Sequence, residues 1–159
     1  MTVIKSQRSE SKLAVHVELR KLIDHTFNKT RNSKKFSSVK TYMLERDDSG
    51  NIVSITETKT GSKEALARRI ENAAILAGEC AWRANGIRVG KNGEGYVTRL
   101  QLQNEAISNL DALAYLVNTA RKICNLTGKE TKYWIDAISK NRSMVAKWRD
   151  SDRKRYALH

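Results

Sequence analysis

The chain contains no proline anywhere in its 159 residues. Proline lacks a backbone donor and breaks the interior of a helix, so its absence leaves every position able to continue one. Only eight glycines are present to weaken helices further. Hydrophobic residues make up 40% of the sequence, enough to build a core in a chain of this length. The sequence therefore favours one domain of long helices.

Apolar residues recur every three or four positions in four segments, the spacing that lines one face of a helix. The second segment carries mostly small side chains, with Ser62 after Gly61 as the predicted N-cap. The fourth opens at a predicted capping box formed by Thr127 and Glu130. The predicted helices cover about residues 11–31, 62–84, 95–126 and 128–148, the last with apolar positions at Trp134, Ile138, Asn141, Val145 and Trp148.

Two β-favouring runs separate the first two helices. Thr41–Leu44 and Ile52–Thr56 flank the turn sequence Asp47–Asn51. This pattern predicts a β-hairpin insertion over residues 36–60. The fold class predicted for the whole chain, residues 1–159, is a single all-α domain, an antiparallel four-helix bundle with that hairpin between helices 1 and 2.

The third helix carries two apolar stripes in different registers. Because one neighbouring helix covers only one stripe, the pattern predicts a central helix or one that also faces another subunit. The stripes are Leu100, Ile107, Leu110, Ala114, Val117 and Cys124, and Leu102, Ala106, Leu113, Leu116, Ala120 and Ile123.

The net charge is +13, from 30 Lys and Arg against 17 Asp and Glu. A charge of this size points to a polyanionic partner, with RNA or DNA first. Residues 1–44 and 128–159 hold the excess, whereas residues 45–127 are nearly neutral.

The candidate nucleic-acid-binding residues lie mainly on the fourth helix. Cations repeat every seven residues along each flank of its apolar stripe, and the second helix contributes secondary candidates. The alternative is a solvated helix with ordinary pairs four residues apart, such as Asp136 with Lys140 and Asp150 with Lys154. The candidates are Lys140, Arg142, Lys147, Arg149, Arg153, Lys154 and Arg155, together with Arg69 and Arg83.

The sequence offers no catalytic constellation, metal site or cofactor motif. His16 and His25 lie nine residues apart and His159 ends the chain, so neighbouring residues cannot assemble a metal triad or a nucleophile with its base. Cys80 and Cys124 fall on apolar helix faces and are predicted to be buried thiols. We therefore expect no enzyme activity, no metal and no cofactor.

No membrane association is expected either. The chain has no stretch of about 18 uncharged apolar residues, and its first residues lack the apolar core and small-residue cleavage site of a secretory signal. The sequence predicts a cytoplasmic protein.

Three segments in order carry a resemblance to a known family. They are residues 67–85 (ARRIENAAILAGECAWRAN), residues 100–126 (LQLQNEAISNLDALAYLVNTARKICNL) and, in the fourth helix, Tyr133–Trp134 with the ending from Trp148 to Tyr156 (WRDSDRKRY). The order resembles the accessory variability determinant of diversity-generating retroelements. That family is related to four-helix-bundle proteins encoded in intervening sequences of large-subunit ribosomal RNA genes. The likeness covers about residues 62–156.

The resemblance implies a cytoplasmic, basic homopentamer of four-helix bundles. Such a pentamer binds a reverse transcriptase and its template-repeat RNA or RNA/DNA hybrid and supports error-prone copying into complementary DNA without being a catalyst. Residues 36–60 depart from the family, which has a shorter link there. Two alternatives remain: a protein–protein adaptor for an acidic partner enzyme, and a generic RNA-binding four-helix bundle with no reverse transcriptase partner.

Overall fold

The computed structural model describes residues 5–37, 40–59 and 61–156. Four long helices account for most of these residues, and a two-stranded hairpin follows the first helix after a single 3-10 turn, Lys34–Phe36. The helices are α1 (Lys5–Asn32), α2 (Ser62–Gly86), α3 (Tyr96–Ile123) and α4 (Gly128–Tyr156), and the strands are β1 (Lys40–Arg46) and β2 (Ile52–Lys59).

Each helix packs against two others, so that α1 and α3 lie between α2 and α4. Helices α1 and α2 are antiparallel, because the end of each helix contacts the earlier part of the other. Thr30 near the end of α1 bonds Glu71 early in α2, whereas His16 contacts Trp82 near the end of α2. The prediction of a helical bundle with a hairpin between helices 1 and 2 is confirmed.

Small side chains on α2 bring its neighbours close. Alanines at 73, 74, 77, 81 and 84 are all buried in the core, and Gly78 faces α1. A Cβ added at Gly78 would lie 2.8 Å from Ile23 Cδ1. This stripe therefore sets a short separation between α1 and α2, as small residues do wherever helix backbones approach closely.

The two stripes of α3 are covered within one chain. Ile107, Leu110 and Val117 of one stripe are buried, as are Leu113 and Ala120 of the other. Helices α2 and α4 pack on the two sides of α3. The first of the two predicted alternatives, a central helix between two neighbours of its own bundle, accounts for this burial, and Ile123 at the end of the second stripe is 46% exposed.

The capping box at the start of α4 is confirmed. Thr127 N donates to Glu130 Oε2 at 2.9 Å, and Glu130 N donates to Thr127 Oγ1 at 3.1 Å. Ser62 does not cap α2: it is the first helical residue, and Gly61 occupies the N-cap position without a side-chain bond.

The hairpin is antiparallel and is predicted correctly, although residues 38, 39 and 60 of the 36–60 insertion lie outside the described ranges. Leu44 pairs with Ile55 and Met43 with Thr56, and the register shifts between Glu45 and Arg46. Asp47 Oδ1 accepts the backbone N–H groups of Ser49 and Asn51, which closes the turn.

Candidate nucleic-acid interface

The predicted cations of α4 occupy two flanks of the helix. Positions seven apart lie on nearly the same side of a helix. Lys140 donates to Glu18 of α1 at 2.8 Å, so Lys140, Lys147 and Lys154 mark the flank toward α1. Arg142 bonds Asp111 of α3, which places Arg142 and Arg149 toward α3. The two predicted flanks are thus present.

Three of these cations are already paired inside the chain. Arg142 donates two hydrogen bonds to Asp111, from Nε to Oδ1 at 2.5 Å and from Nη2 to Oδ2 at 3.2 Å. This pairing raises the pKa of Arg142 above its ordinary value. Lys140 is paired with Glu18 as described. Arg149 contacts Asp150 and also donates to Asn104 Oδ1 at 3.0 Å. These side chains hold helices together and are partly neutralised.

Four cations near the end of α4 are exposed, and none of them has a carboxylate partner among the described residues. The Arg155 guanidinium lies 5.7 Å from the centre of the Tyr156 ring, a cation–π contact that leaves its charge in place. We call these four residues the terminal cation cluster. They are Lys147, Arg153, Lys154 and Arg155.

The pairs expected four residues apart do not form. Asp136 accepts from Lys132 at 2.6 Å instead of from Lys140. Asp150 contacts Arg149, which leaves Lys154 without it. Neighbouring helices offer Lys140 a better-placed carboxylate, and this tertiary contact displaces the local pair.

Arg69 and Arg83 lie on α2, diagonally across the bundle from α4. Both are exposed. Trp82 and Trp148 both contact the His16 ring, at 5.6 and 6.2 Å between centroids, so Arg83 shares one end of the bundle with the terminal cation cluster. Arg69 lies about 21 Å farther along α2. The structure therefore places Arg83 at the same end of the bundle as the cluster, but on the opposite helix, and places Arg69 farther away.

A buried ion pair holds the last turns of α4. Arg99 Nε and Gln103 Nε2, both on α3, donate to Asp152 Oδ2 at 2.7 Å each. Arg99 Nη1 also bonds the backbone oxygen of Ile87 at 3.1 Å, in the segment between α2 and α3. The guanidinium lies 5.3 Å from the Trp148 ring centre. Asp152 thus fixes α4 amid the four cations of the cluster.

Sequence reasoning did not single out Arg99, Gln103 or Asp152. Their spacing held the signal: Asp152 follows Trp148 by four residues and so continues the apolar stripe of α4. Arg99 and Gln103 precede Ile107 of α3 at the same spacing. A charged residue in a core register is a candidate for a buried pair.

The three tryptophans differ in exposure, and the two predicted apolar positions of α4 are the buried ones. Trp134 is buried in the core and donates from Nε1 to Thr26 Oγ1 at 3.2 Å. Trp148 is also buried, whereas Trp82 is 68% exposed. The thiols of Cys80 and Cys124 are buried as well, and burial raises the pKa of each.

Over residues 5–37, 40–59 and 61–156 the side chains form no group of three His, Cys, Asp or Glu able to hold a metal ion. Within the same ranges, none of the helices combines the length and apolar character needed to cross a bilayer.

No family model, curated protein or solved structure matches this chain. The resemblance to the accessory variability determinant therefore rests on the three quoted segments alone.

Proposed function

We propose that this protein is a noncatalytic nucleic-acid-binding subunit that acts beside a partner enzyme. One observation carries the proposal: Lys147, Arg153, Lys154 and Arg155 are exposed on two turns of one helix, and no described carboxylate neutralises them. Unpaired surface cations release counterions from a phosphate backbone when they bind it, which supplies most of the affinity of non-specific binding.

The buried Arg99–Asp152 pair supports a rigid presentation of the cluster. Asp152 lies between Lys147 and Arg153 in sequence and is bonded to α3. Cations held on an ordered helix lose less conformational freedom on binding than cations on a loose tail. The cluster therefore offers a fixed array of charges to a sugar-phosphate chain.

The partner enzyme in this proposal is the reverse transcriptase of a diversity-generating retroelement. The bound polymer is its template-repeat RNA or an RNA/DNA hybrid, and the protein acts in the cytoplasm as a homo-oligomer, a pentamer in the family that it resembles. The quoted segments support this finer assignment, and so does the helical bundle that the resemblance implies. The reverse transcriptase carries out the copying reaction, and this chain binds the polymer that is copied.

Co-expression with the neighbouring gene products tests the assignment of partner. Affinity purification of this chain is expected to bring down a reverse transcriptase and a discrete RNA. Ribonuclease treatment before capture separates direct enzyme binding from a bridge through RNA. Recovery of neither the enzyme nor a discrete RNA would contradict the assignment.

The terminal cation cluster is tested by charge removal with a matched control. Changing Lys147, Arg153, Lys154 and Arg155 to Gln is expected to weaken binding of single-stranded RNA by about tenfold or more at about 0.1 M salt. The control makes the same change in four exposed cations at the opposite end of α4, around the turn between α3 and α4. These are Arg121, Lys122 and Lys129 and, in the adjacent 3-10 turn, Lys34. Equal losses in the two variants would contradict a localised interface.

A protein–protein adaptor is the second candidate. The internal pairing of Lys140, Arg142 and Arg149 favours it, because three of the predicted cations are not free for phosphates. In an adaptor, removing the terminal cation cluster reduces capture of the partner enzyme and leaves binding of naked RNA unchanged. The charge-removal experiment therefore distinguishes the two functions.

A further inference from the structure

The hairpin exposes one apolar face, and no residue in the described part of the chain covers it. Side chains alternate across a strand, so the Cα partners Leu44 and Ile55 share one face, and Val53 lies at the register shift, between the residues paired with Glu45 and Arg46. Val53 and Ile55 are each 63% exposed. The other face carries Met43, Thr56 and, half-buried, Ser54. Such an amphipathic ribbon is marginally stable by itself in water and needs a surface against its apolar side.

The charge of the hairpin contrasts with that of the rest of the molecule. Residues 40–59 hold three basic and four acidic residues, a net charge of −1 in a chain of net charge +13. Asp47 and Asp48 lie at the tip. A surface that complements this segment is therefore apolar and basic.

The α1–α2 groove of the same chain has both properties. It has a volume of about 700 Å³, and its lining includes Val17, Arg20, Asp24, Gly78 and Trp82. Val17 is 42% and Trp82 68% exposed. Among the described residues Arg20 has no carboxylate partner, and Gly78 contributes no side chain to fill the space. Asp24 is the one acidic residue of the lining.

The hairpin lies at one end of the bundle, and the groove runs along the middle of α1 and the later part of α2. The hairpin joins the end of α1 to the start of α2, at Ser62, whereas the groove reaches Trp82. Twenty helical residues separate these two positions, or about 30 Å. A donor surface and a different acceptor surface on the same chain produce head-to-tail contacts between copies.

We propose that the apolar face of the hairpin of one copy docks in the α1–α2 groove of a second copy, with Asp47 and Asp48 toward Arg20. This contact is the interface between copies in the proposed homo-oligomer. It rests on the proposed function only in the expectation that the protein forms an oligomer. It does not depend on nucleic-acid binding. A ring forms where the rotation between copies closes, and a filament where it does not.

Two variants, each with one surface disabled, test this contact by sedimentation. Val53→Glu with Ile55→Glu places charge on the apolar face of the hairpin, and Trp82→Glu places it in the groove. Each variant is expected to sediment as a monomer of 18.0 kDa, whereas the wild-type protein forms larger species at about 100 µM. Ser54→Glu with Thr56→Glu puts the same charge at the same spacing on the opposite face and is expected to retain the wild-type mass.

Mixing the two monomeric variants is the decisive step. The intact hairpin of the Trp82→Glu chain fits the intact groove of the hairpin variant, so the mixture is expected to give a species of twice the chain mass and nothing larger. Circular dichroism confirms that each variant remains helical, because the substituted side chains are exposed.

Several results would overturn the contact. The first is a monomeric wild-type protein, and the second is a hairpin variant that keeps the wild-type mass. The third is a Trp82→Glu variant that keeps the wild-type mass, because the hairpins would then pack on one another. A mixture that stays monomeric is a fourth. Weaker RNA binding by Trp82→Glu with unchanged mass would instead identify the groove as a base-stacking site. RNA binding by the monomeric variants, whose terminal cation cluster is intact, tests the proposed function separately.

Discussion

Asp152 and Arg99 form an ion pair in the interior of the bundle, with Oδ2 and Nε 2.7 Å apart and both side chains almost fully buried. Gln103 donates to the same carboxylate oxygen at the same distance. Buried charges are tolerated only when they are paired and hydrogen-bonded, and here one carboxylate serves two donors. The pair ties the basic end of α4 to the start of α3.

Removing the buried carboxylate is expected to destabilise the protein strongly. Asp152→Ala leaves the Arg99 guanidinium buried without its counter-charge, which costs about 3–5 kcal/mol of unfolding free energy. Urea unfolding followed by circular dichroism measures this loss. Asp150→Ala, two residues away and exposed, is the control and is expected to change stability by less than about 0.5 kcal/mol. Similar values for the two variants would show that the pair is not buried as described.

The hydrogen bond between Trp134 and Thr26 gives a second stability prediction. Thr26→Val keeps the shape of the side chain but leaves the indole N–H without its acceptor, at a cost of about 1–3 kcal/mol. Thr26→Ser retains the hydroxyl and is expected to lose less. A valine variant as stable as the wild-type protein in urea would contradict the assigned bond.

Glu130 makes the stability of the protein depend on acid pH. The ammonium of Lys35 and the N-cap bonds of Thr127 lower the pKa of the Glu130 carboxyl from 4.5 to about 2. Because the folded state favours the ionised form, this stabilisation is complete above about pH 5 and is lost as the pH falls from 4.5 to 2. Glu130→Gln is expected to be less stable at pH 6 and to show a smaller decline across that window. Parallel pH profiles for the two proteins would be the contrary result.

His16 and His25 add a dependence at higher pH. Burial lowers the pKa of each imidazole from 6.5, and the charge of Lys29 lowers that of His25 further. The fold therefore favours the neutral form, and stability decreases as the pH falls through 6.5 toward the lower folded pKa. Replacing both residues with Gln is expected to flatten the profile of unfolding free energy between pH 7 and pH 5.5. An unchanged slope there would argue against burial of the two rings.

Local patterns in the sequence predicted the helices well. The stripe of α4 from Trp134 to Trp148 and the capping box of Thr127 with Glu130 both follow from spacing over a few residues, and the structure has both. The hairpin followed from β-favouring runs on either side of a turn sequence. These features depend on local propensity and periodicity, which a single sequence shows.

Contacts between helices could not be predicted in the same way. The alternative interpretation of a solvated helix paired Lys140 with Asp136, but Lys140 bonds Glu18, 122 positions earlier in the chain. The ion pair of Arg99 with Asp152 likewise spans 53 positions. Such partners depend on which helices become neighbours and on how far each is shifted along its axis relative to the other. Packing of the whole core determines both. The division of the cations into paired and unpaired groups therefore emerged only from the fold.

The salt dependence of RNA binding tests the central claim most directly. If about six phosphates are neutralised, a plot of log affinity for single-stranded RNA against log salt concentration is expected to have a slope near −4. Changing Lys147, Arg153, Lys154 and Arg155 to Gln should bring the slope to about −1.4, since each contact contributes about 0.7 and about two would remain. The control at Lys34, Arg121, Lys122 and Lys129 should stay near −4. A slope near zero for the wild-type protein, or one that the terminal variant does not change, would contradict the account.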